Sequence, residues 1–300
     1  MSGRLAGAAS AAAYRAGWAA VRLLPESTAA RLFAAGADLA ARHEGKGVRR
    51  LRANYARVTG RPPAELDDLV RAGVRSYARY WCEVFRLPST DRERVARSVA
   101  VPTAHRVLDA RAQGRGVILV LGHMGNWDVA AVWLLSLGCP FTTVAERLEP
   151  ASLFDAFVAF RESLGMEVIP LTGGQAPPFE VLAQRLRAGG VLCLLADRDL
   201  SAAGVGVDFF GARATMPAGP AALALATGAV LLPALLSYVD GEGLWASRIA
   251  FEPPVPHTDV ATMTQQVAAS FERAVGARPQ DWHMLQRLWS DDLEPRPGRG

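Results

Sequence analysis

Apolar and polar positions follow one rhythm up to about residue 90 and another beyond it. In "AAAYRAGWAAVRLL", Tyr14, Trp18, Val21 and Leu24 recur near one helical face, with Arg15 and Arg22 turned away, and Pro25 ends the run. "STAARLFAAGADLAARH" predicts a second helix with Ser27 or Thr28 as its N-cap. "EGKGVRR" reads as a short basic linker into "LRANYARVTG", and "AELDDLVRAGVRSYARYWCEVFRLP" as a third helix stopped by Pro88.

From about residue 101 short apolar runs alternate with helical patterns. "GVILVL", "FTTVAE", "MEVIPL", "VLCLLAD", "AVLLPALLSYV" and "LWASRIAFE" are strand-like. Helical patterns cover Asn126 to Leu137, "ASLFDAFVAFRESLG", "PPFEVLAQRLRAGG", residues 217–227, "TMTQQVAASFERAVGA" and "DWHMLQRLW". Such alternation predicts an α/β fold: a mostly parallel central sheet flanked by helices, with an N-terminal helical region. The expected division is a helical region over 1–95, one continuous α/β core over 96–290 and a loose tail over 291–300.

Charge adds an asymmetry. Residues 1–60 hold ten Arg or Lys against three acids, or +7, which leaves the rest at −3 of a total of +4. A basic end on a mildly acidic body suits an anionic partner such as a membrane surface, phosphates or nucleic acid. Nucleic acid is not expected, because the basic residues are interleaved with alanine stripes and no recognised nucleic-acid fold signature appears. Cys82, Cys139 and Cys193 are scattered among apolar neighbours and read as reduced core residues. No His/Cys/acid cluster has metal-ligand spacing, so no metal is expected. Residues 217–239 lack any charge and are long enough to span a bilayer, but Gly219-Pro220, Thr227-Gly228 and Pro233 favour a helix, a turn and a buried strand.

The candidate chemistry lies in "VILVLGHMGNWD", residues 117–128. A buried strand ends by presenting His123, and the carboxyl ends of strands are where open α/β sheets gather functional groups. Asn126 is a good N-cap, which places Trp127 and Asp128 in the first turn of the next helix. The turn through Gly122 and Gly125 allows Asp128 to face His123. A carboxylate accepting the Nδ1 proton would leave Nε2 free as a base. The competing reading is an acid that merely complements the helix dipole beside a structural histidine.

Further blocks follow in order: "VAERL", "FRESLGMEVIP", "ADRD", "VDFFG" and "MPAGPAALALATGA". With "GHMGNWD" they resemble the lipid A acyltransferase-like branch of the lysophospholipid acyltransferase superfamily. "AAAYRAGW…RLLPE", "RSYARYWCEVFRLP" and "PQDWHMLQRLW" look most like the actinobacterial phosphatidylinositol mannoside acyltransferases. The chain departs from the wider superfamily in lacking an FPEGTR-type block, which argues against a simple lysophosphatidate acceptor.

The resemblance implies an O-acyltransferase that moves a fatty acyl chain, palmitoyl by expectation, from acyl-CoA to a mannose hydroxyl of a phosphatidylinositol mannoside. It implies no cofactor beyond acyl-CoA as co-substrate. His123 would be the general base, oriented by Asp128, with Asp197 of "LADRD" as a second catalytic acid. The alternative for Asp197 is a strand-end acid paired with Arg198 or Arg213. Glu146, Arg161, Arg198 and Arg213 are the expected substrate-binding residues; Glu146 and Arg161 match polar positions of the acceptor cleft, and Arg161 suits a phosphate. Phe209 and Phe210 suit either an acyl channel or, by the usual burial of aromatics, the core. Val129, Val132 and Trp133 suit an acyl groove or the core. The N-terminal helices carry apolar stripes flanked by arginines, as on an anionic membrane surface, and the expected location is peripheral, on the cytoplasmic face of the cell membrane. The competing functions are acylation of a lipid A-like precursor and a non-catalytic lipid-binding protein on the same scaffold.

Overall fold

The computed structural model describes residues 17–146, 151–172, 177–199 and 204–292, with the side chains of 151–154 outside that description. Tyr14, Arg15, Arg147, Leu148 and most of the expected tail lie outside it. The continuous apolar run of β2 (Val117–Leu121) is explained by burial on both faces. Ile118 and Val120 enter one hydrophobic core, and Val117, Leu119 and Leu121 enter a second on the other side of the sheet.

Seven strands form that sheet in the order β1-β9-β8-β2-β5-β3-β4. They are β1 (Val99–Ala100), β2, β3 (Phe141–Ala145), β4 (Glu167–Pro170), β5 (Val191–Leu195), β8 (Val230–Tyr238) and β9 (Ser247–Phe251). All neighbours run parallel except β8 against β9. The α/β fold with its mostly parallel sheet is as expected from the sequence. The uncharged segment 217–239 is helix α10 (Gly219–Thr227) followed by β8, and no helix among the described residues is long and apolar enough to cross a membrane.

The N-terminal helices are α1 (residues 17–23), α2 (Glu26–His43), α3 (Lys46–Thr59) and α4 (Asp67–Arg86). Two expectations there need correction. Pro25, not Ser27 or Thr28, is the N-cap of α2, since proline fixes the backbone at the start of a helix and needs no donor. The basic "linker" is the first turn of α3, entered through Gly45. Of the other helices, α7 (Trp127–Ser136) follows β2, α8 (Ala151–Leu164) follows β3, α9 (Pro178–Arg187) precedes β5, and α11 (Val260–Ala277) follows β9. Helices α5 (Arg92–Arg97) and α6 (His105–Ala112) flank β1.

Two further segments complete the fold, the second of them against expectation. "VDFFGARATM" is a hairpin of β6 (Val205–Phe209) and β7 (Ala212–Met216), turned by Phe210 and Gly211, both at positive φ. "DWHMLQRLW" is not a helix. After a short turn at Pro279–Asp281 it runs extended, and Trp282 pairs with Met124 in an antiparallel bridge. Its backbone is held by other elements: Asn54 donates to the carbonyls of Met284 and Gln286, and the Tyr55 hydroxyl donates to that of Trp282. Phe209 is wholly buried against Trp282 and Trp289, so its role is in the core.

Candidate active site

β2 and β5 are parallel neighbours with Leu121 opposite Leu195. Two residues past that pair stand His123 and Asp197, at adjacent strand ends. His123 Nδ1 donates to Asp197 Oδ1 at 2.5 Å, and the His123 backbone N–H donates to Oδ2 at 2.8 Å. Trp282 Nε1 adds a third donor to that carboxylate at 3.0 Å. Because a carboxylate accepts, Nδ1 carries the proton and Nε2 is left with its lone pair. Asp197 is 1 % exposed while the His123 side chain keeps 32 % of its surface. Burial opposes charge on both groups, but each stabilises the other. The imidazole is held above its ordinary pKa and the carboxyl below its own.

Asp128 does not orient His123. Asn126 caps α7, its side-chain oxygen accepting from the N–H groups of Asp128 and Val129 at 2.9 and 3.1 Å. That turn aims the Asp128 carboxylate at other elements, where Arg161 Nε of α8 donates at 2.9 Å and the Tyr80 hydroxyl of α4 at 3.1 Å. The buried Asp128 holds the Arg161 guanidinium above its ordinary pKa. The residue of this turn that touches the histidine ring is Trp127, edge-on at 5.7 Å between centroids.

A cleft of about 710 Å³ opens over His123. Glu146, Arg161 and Arg198 line it, as do Tyr77, Tyr80 and Trp81 of α4. Glu146 supports and Arg198 opposes a charge on the His123 ring. Arg213 does not belong to this group: it lies on the β6–β7 hairpin, exposed, with Asp208 at 3.5 Å. Asp197 therefore pairs with neither Arg198 nor Arg213 but with the histidine. A smaller apolar cavity lies beneath α7 and shares Trp127, Val144, Arg161 and Leu195 with the cleft. Of the three candidate groove residues only Trp133 lines it; Val129 and Val132 are buried in the core.

Sequence reasoning passed over His283, which is buried and lines the cleft. The Ser76 hydroxyl donates to Asp281 Oδ1 at 3.1 Å, so toward His283 Nε2, at 2.9 Å, it can only accept. His283 thus carries its proton on Nε2, and Nδ1 is a buried acceptor without a partner among the described residues. Burial pushes the imidazole down to about 3, so it stays neutral. The signal for it was the Trp-His pair near the chain end, which a helical reading conceals.

Residues 4–291 match the family described as bacterial lipid A biosynthesis acyltransferase. The chain is 50 % identical over 296 residues to the phosphatidylinositol mannoside acyltransferase of Mycolicibacterium smegmatis (strain ATCC 700084 / mc(2)155), covering 98 % of this chain and 96 % of that protein. It is 49 % identical over 284 residues to the phosphatidylinositol mannoside acyltransferase of Mycobacterium tuberculosis (strain ATCC 25618 / H37Rv), covering 94 % and 89 %. On a match spanning nearly its whole length, the chain belongs to the bacterial lipid A biosynthesis acyltransferase family.

Proposed function

We propose that this acyltransferase moves a fatty acyl chain from acyl-CoA to a mannose hydroxyl of a phosphatidylinositol mannoside, with His123 as general base. The observation that carries the reading is the His123–Asp197 pair at the floor of the cleft. The acceptor hydroxyl gives its proton to Nε2 as its oxygen attacks the thioester carbonyl. The new C–O ester bond replaces the C–S bond, and the proton passes from the imidazolium to the departing CoA thiolate. Asp197 fixes the tautomer and stabilises the imidazolium, and no acyl-enzyme is needed. Asp128 acts through Arg161, whose guanidinium it holds at the cleft wall as a site for the acceptor's phosphate. The apolar cavity beneath α7 suits the start of the acyl chain. Glu146 supplies an acceptor for a sugar hydroxyl.

The relatives' names support the mannoside acceptor. The same reading places the protein peripherally on the cytoplasmic face of an anionic membrane, the side that holds acyl-CoA. The outward face of α2 supports this. Leu32 and Leu39 are each 57 % exposed on one stripe, Leu23 before them is 86 % exposed, and Arg31 and Arg42 flank them.

The test is an acceptor screen. Purified protein with palmitoyl-CoA should convert mannosylated phosphatidylinositol to a product heavier by one acyl chain, detected by mass spectrometry, and His123→Ala should abolish conversion. Turnover of a lipid A-type precursor instead would overturn the acceptor assignment. Full activity in His123→Ala would overturn the base.

A further inference from the structure

Glu83 of α4 is a wholly buried carboxylate that the proposed chemistry does not use. One oxygen accepts from Arg79 Nε at 2.7 Å and the other from Asn126 Nδ2 at 2.7 Å. Arg79 in turn donates to the carbonyls of Gly243, Leu244 and Ala246 and lies over the Tyr238 ring at 3.9 Å. Burying a carboxylate is costly, and here burial lifts the group to about 7 against the pull of Arg79 and Asn126. An apolar residue at this point would avoid that cost but would leave Asn126 Nδ2 and Arg79 Nε without this acceptor.

What the carboxylate supplies is direction. Asn126 has one oxygen and one nitrogen on its side chain. With the nitrogen committed to Glu83, the oxygen faces the α7 N-terminus, where it accepts from two backbone donors. The preceding residues are held by backbone bonds to the segment 281–283. Gly125 N–H donates to the Asp281 carbonyl at 2.9 Å, and the His123 carbonyl accepts from His283 N–H at 2.8 Å. Gly125 sits at φ +55°, where a Cβ would meet Leu236 and Ser237 at 3.1–3.2 Å, so the turn lies hard against β8.

We infer that Glu83 is a positioning residue for the acyl transfer: through Asn126 it sets the N-terminus of α7, and thereby the placement of His123 and Trp127 against the cleft. The inference rests on His123 being the base. Glu83→Gln cannot serve both partners, since an amide that accepts from Asn126 turns its own N–H groups toward Arg79.

The test compares Glu83→Gln, Asn126→Ser and the double variant by steady-state kinetics. Asn126→Ser keeps a capping oxygen and the Glu83–Arg79 pair. Each single change should lower kcat by about ten- to a hundredfold, with KM for both substrates nearly unchanged. The double variant should be no worse than the poorer single one, because both act through one contact. Wild-type kcat in Glu83→Gln, losses that multiply, or a change confined to KM would overturn the assignment. If Glu83→Gln does not fold, Asn126→Ser carries the same expectation alone, and its wild-type kcat would overturn it. If the wild type acylates no acceptor, the catalytic reading fails by itself. Amide hydrogen exchange then decides: Asp128 and Val129 should lose protection in Glu83→Gln while β2 keeps its own, and unchanged protection at both overturns the link.

Discussion

His123 and Asp197 face one another because their strands are adjacent, parallel and in register, each residue standing two positions past the pair Leu121 and Leu195. The contact is thus a product of strand pairing. The catalytic assignment of each acid can be separated by experiment.

Asp197→Asn should lower kcat by about a hundredfold or more, since the amide no longer enforces the tautomer or stabilises the imidazolium. The carboxylate raises the His123 pKa above its ordinary value, and the proposed base must be unprotonated to act. The acidic limb of kcat/KM against pH therefore lies above about 6.5 in the wild type and moves to lower pH in Asp197→Asn. A limb that stays in place would break the pairing of carboxylate and base.

Asp128→Ala should behave differently. It leaves the Arg161 guanidinium without its buried partner, and the cost should be about 3 kcal/mol of unfolding free energy in urea titrations. The pH of the acidic limb should match the wild type, because Asp128 makes no contact with the imidazole. A shift as large as that of Asp197→Asn would return Asp128 to the role of orienting acid.

His283 imposes a sign on acid stability. Its folded pKa is about 3, below the ordinary unfolded value, so between those two pH values the unfolded chain binds the extra proton. Its contribution is fully present above about pH 6.5 and declines as pH falls toward 3, by up to about 1.4 kcal/mol per pH unit. His283→Gln, which retains a donor toward Ser76, should flatten urea stability between pH 6.5 and 4. Parallel curves for the two proteins would remove the histidine from this balance.

Leu32→Glu and Leu39→Glu should each weaken cosedimentation with anionic vesicles by about tenfold or more, given the worth of one buried leucine side chain. Both leucines stand on the outward side of α2, so the unfolding midpoint should stay near wild type. Wild-type binding should weaken with added salt. Undiminished binding by both variants would move the membrane contact elsewhere.

The centre of the sheet was legible because β2 and β8 are largely buried on both faces and read as apolar runs, whereas the two-residue β1 carried no such signal. The end of β2 announced His123 for the same reason. Its partner was not legible, because closeness along the chain suggested Asp128 whereas Asp197 is 74 residues away. Finding it requires knowing that β2 pairs with β5, a non-local choice that periodicity does not encode. Asp128 misled because capping by Asn126 turns the first helical turn toward α4 and α8. The segment after Asp281 has the spacing of a helix, but Met124 and Asn54 hold it extended, and the β6–β7 turn uses Phe210 where an asparagine would have marked a hairpin.

The extended strand at Trp282 also imposes an order of assembly. Its indole caps the Asp197 carboxylate, and its carbonyl is held by Tyr55, 227 residues earlier. During translation, α4, β2 and β5 emerge and can collapse while this place beyond the end of β2 is still vacant. Loop closure over such a span is slow and follows local structure. A nascent chain halted before Trp282 leaves Asp197 short of a donor and Met124 without its bridge, so the surroundings of this carboxylate are complete only once residue 282 has been made.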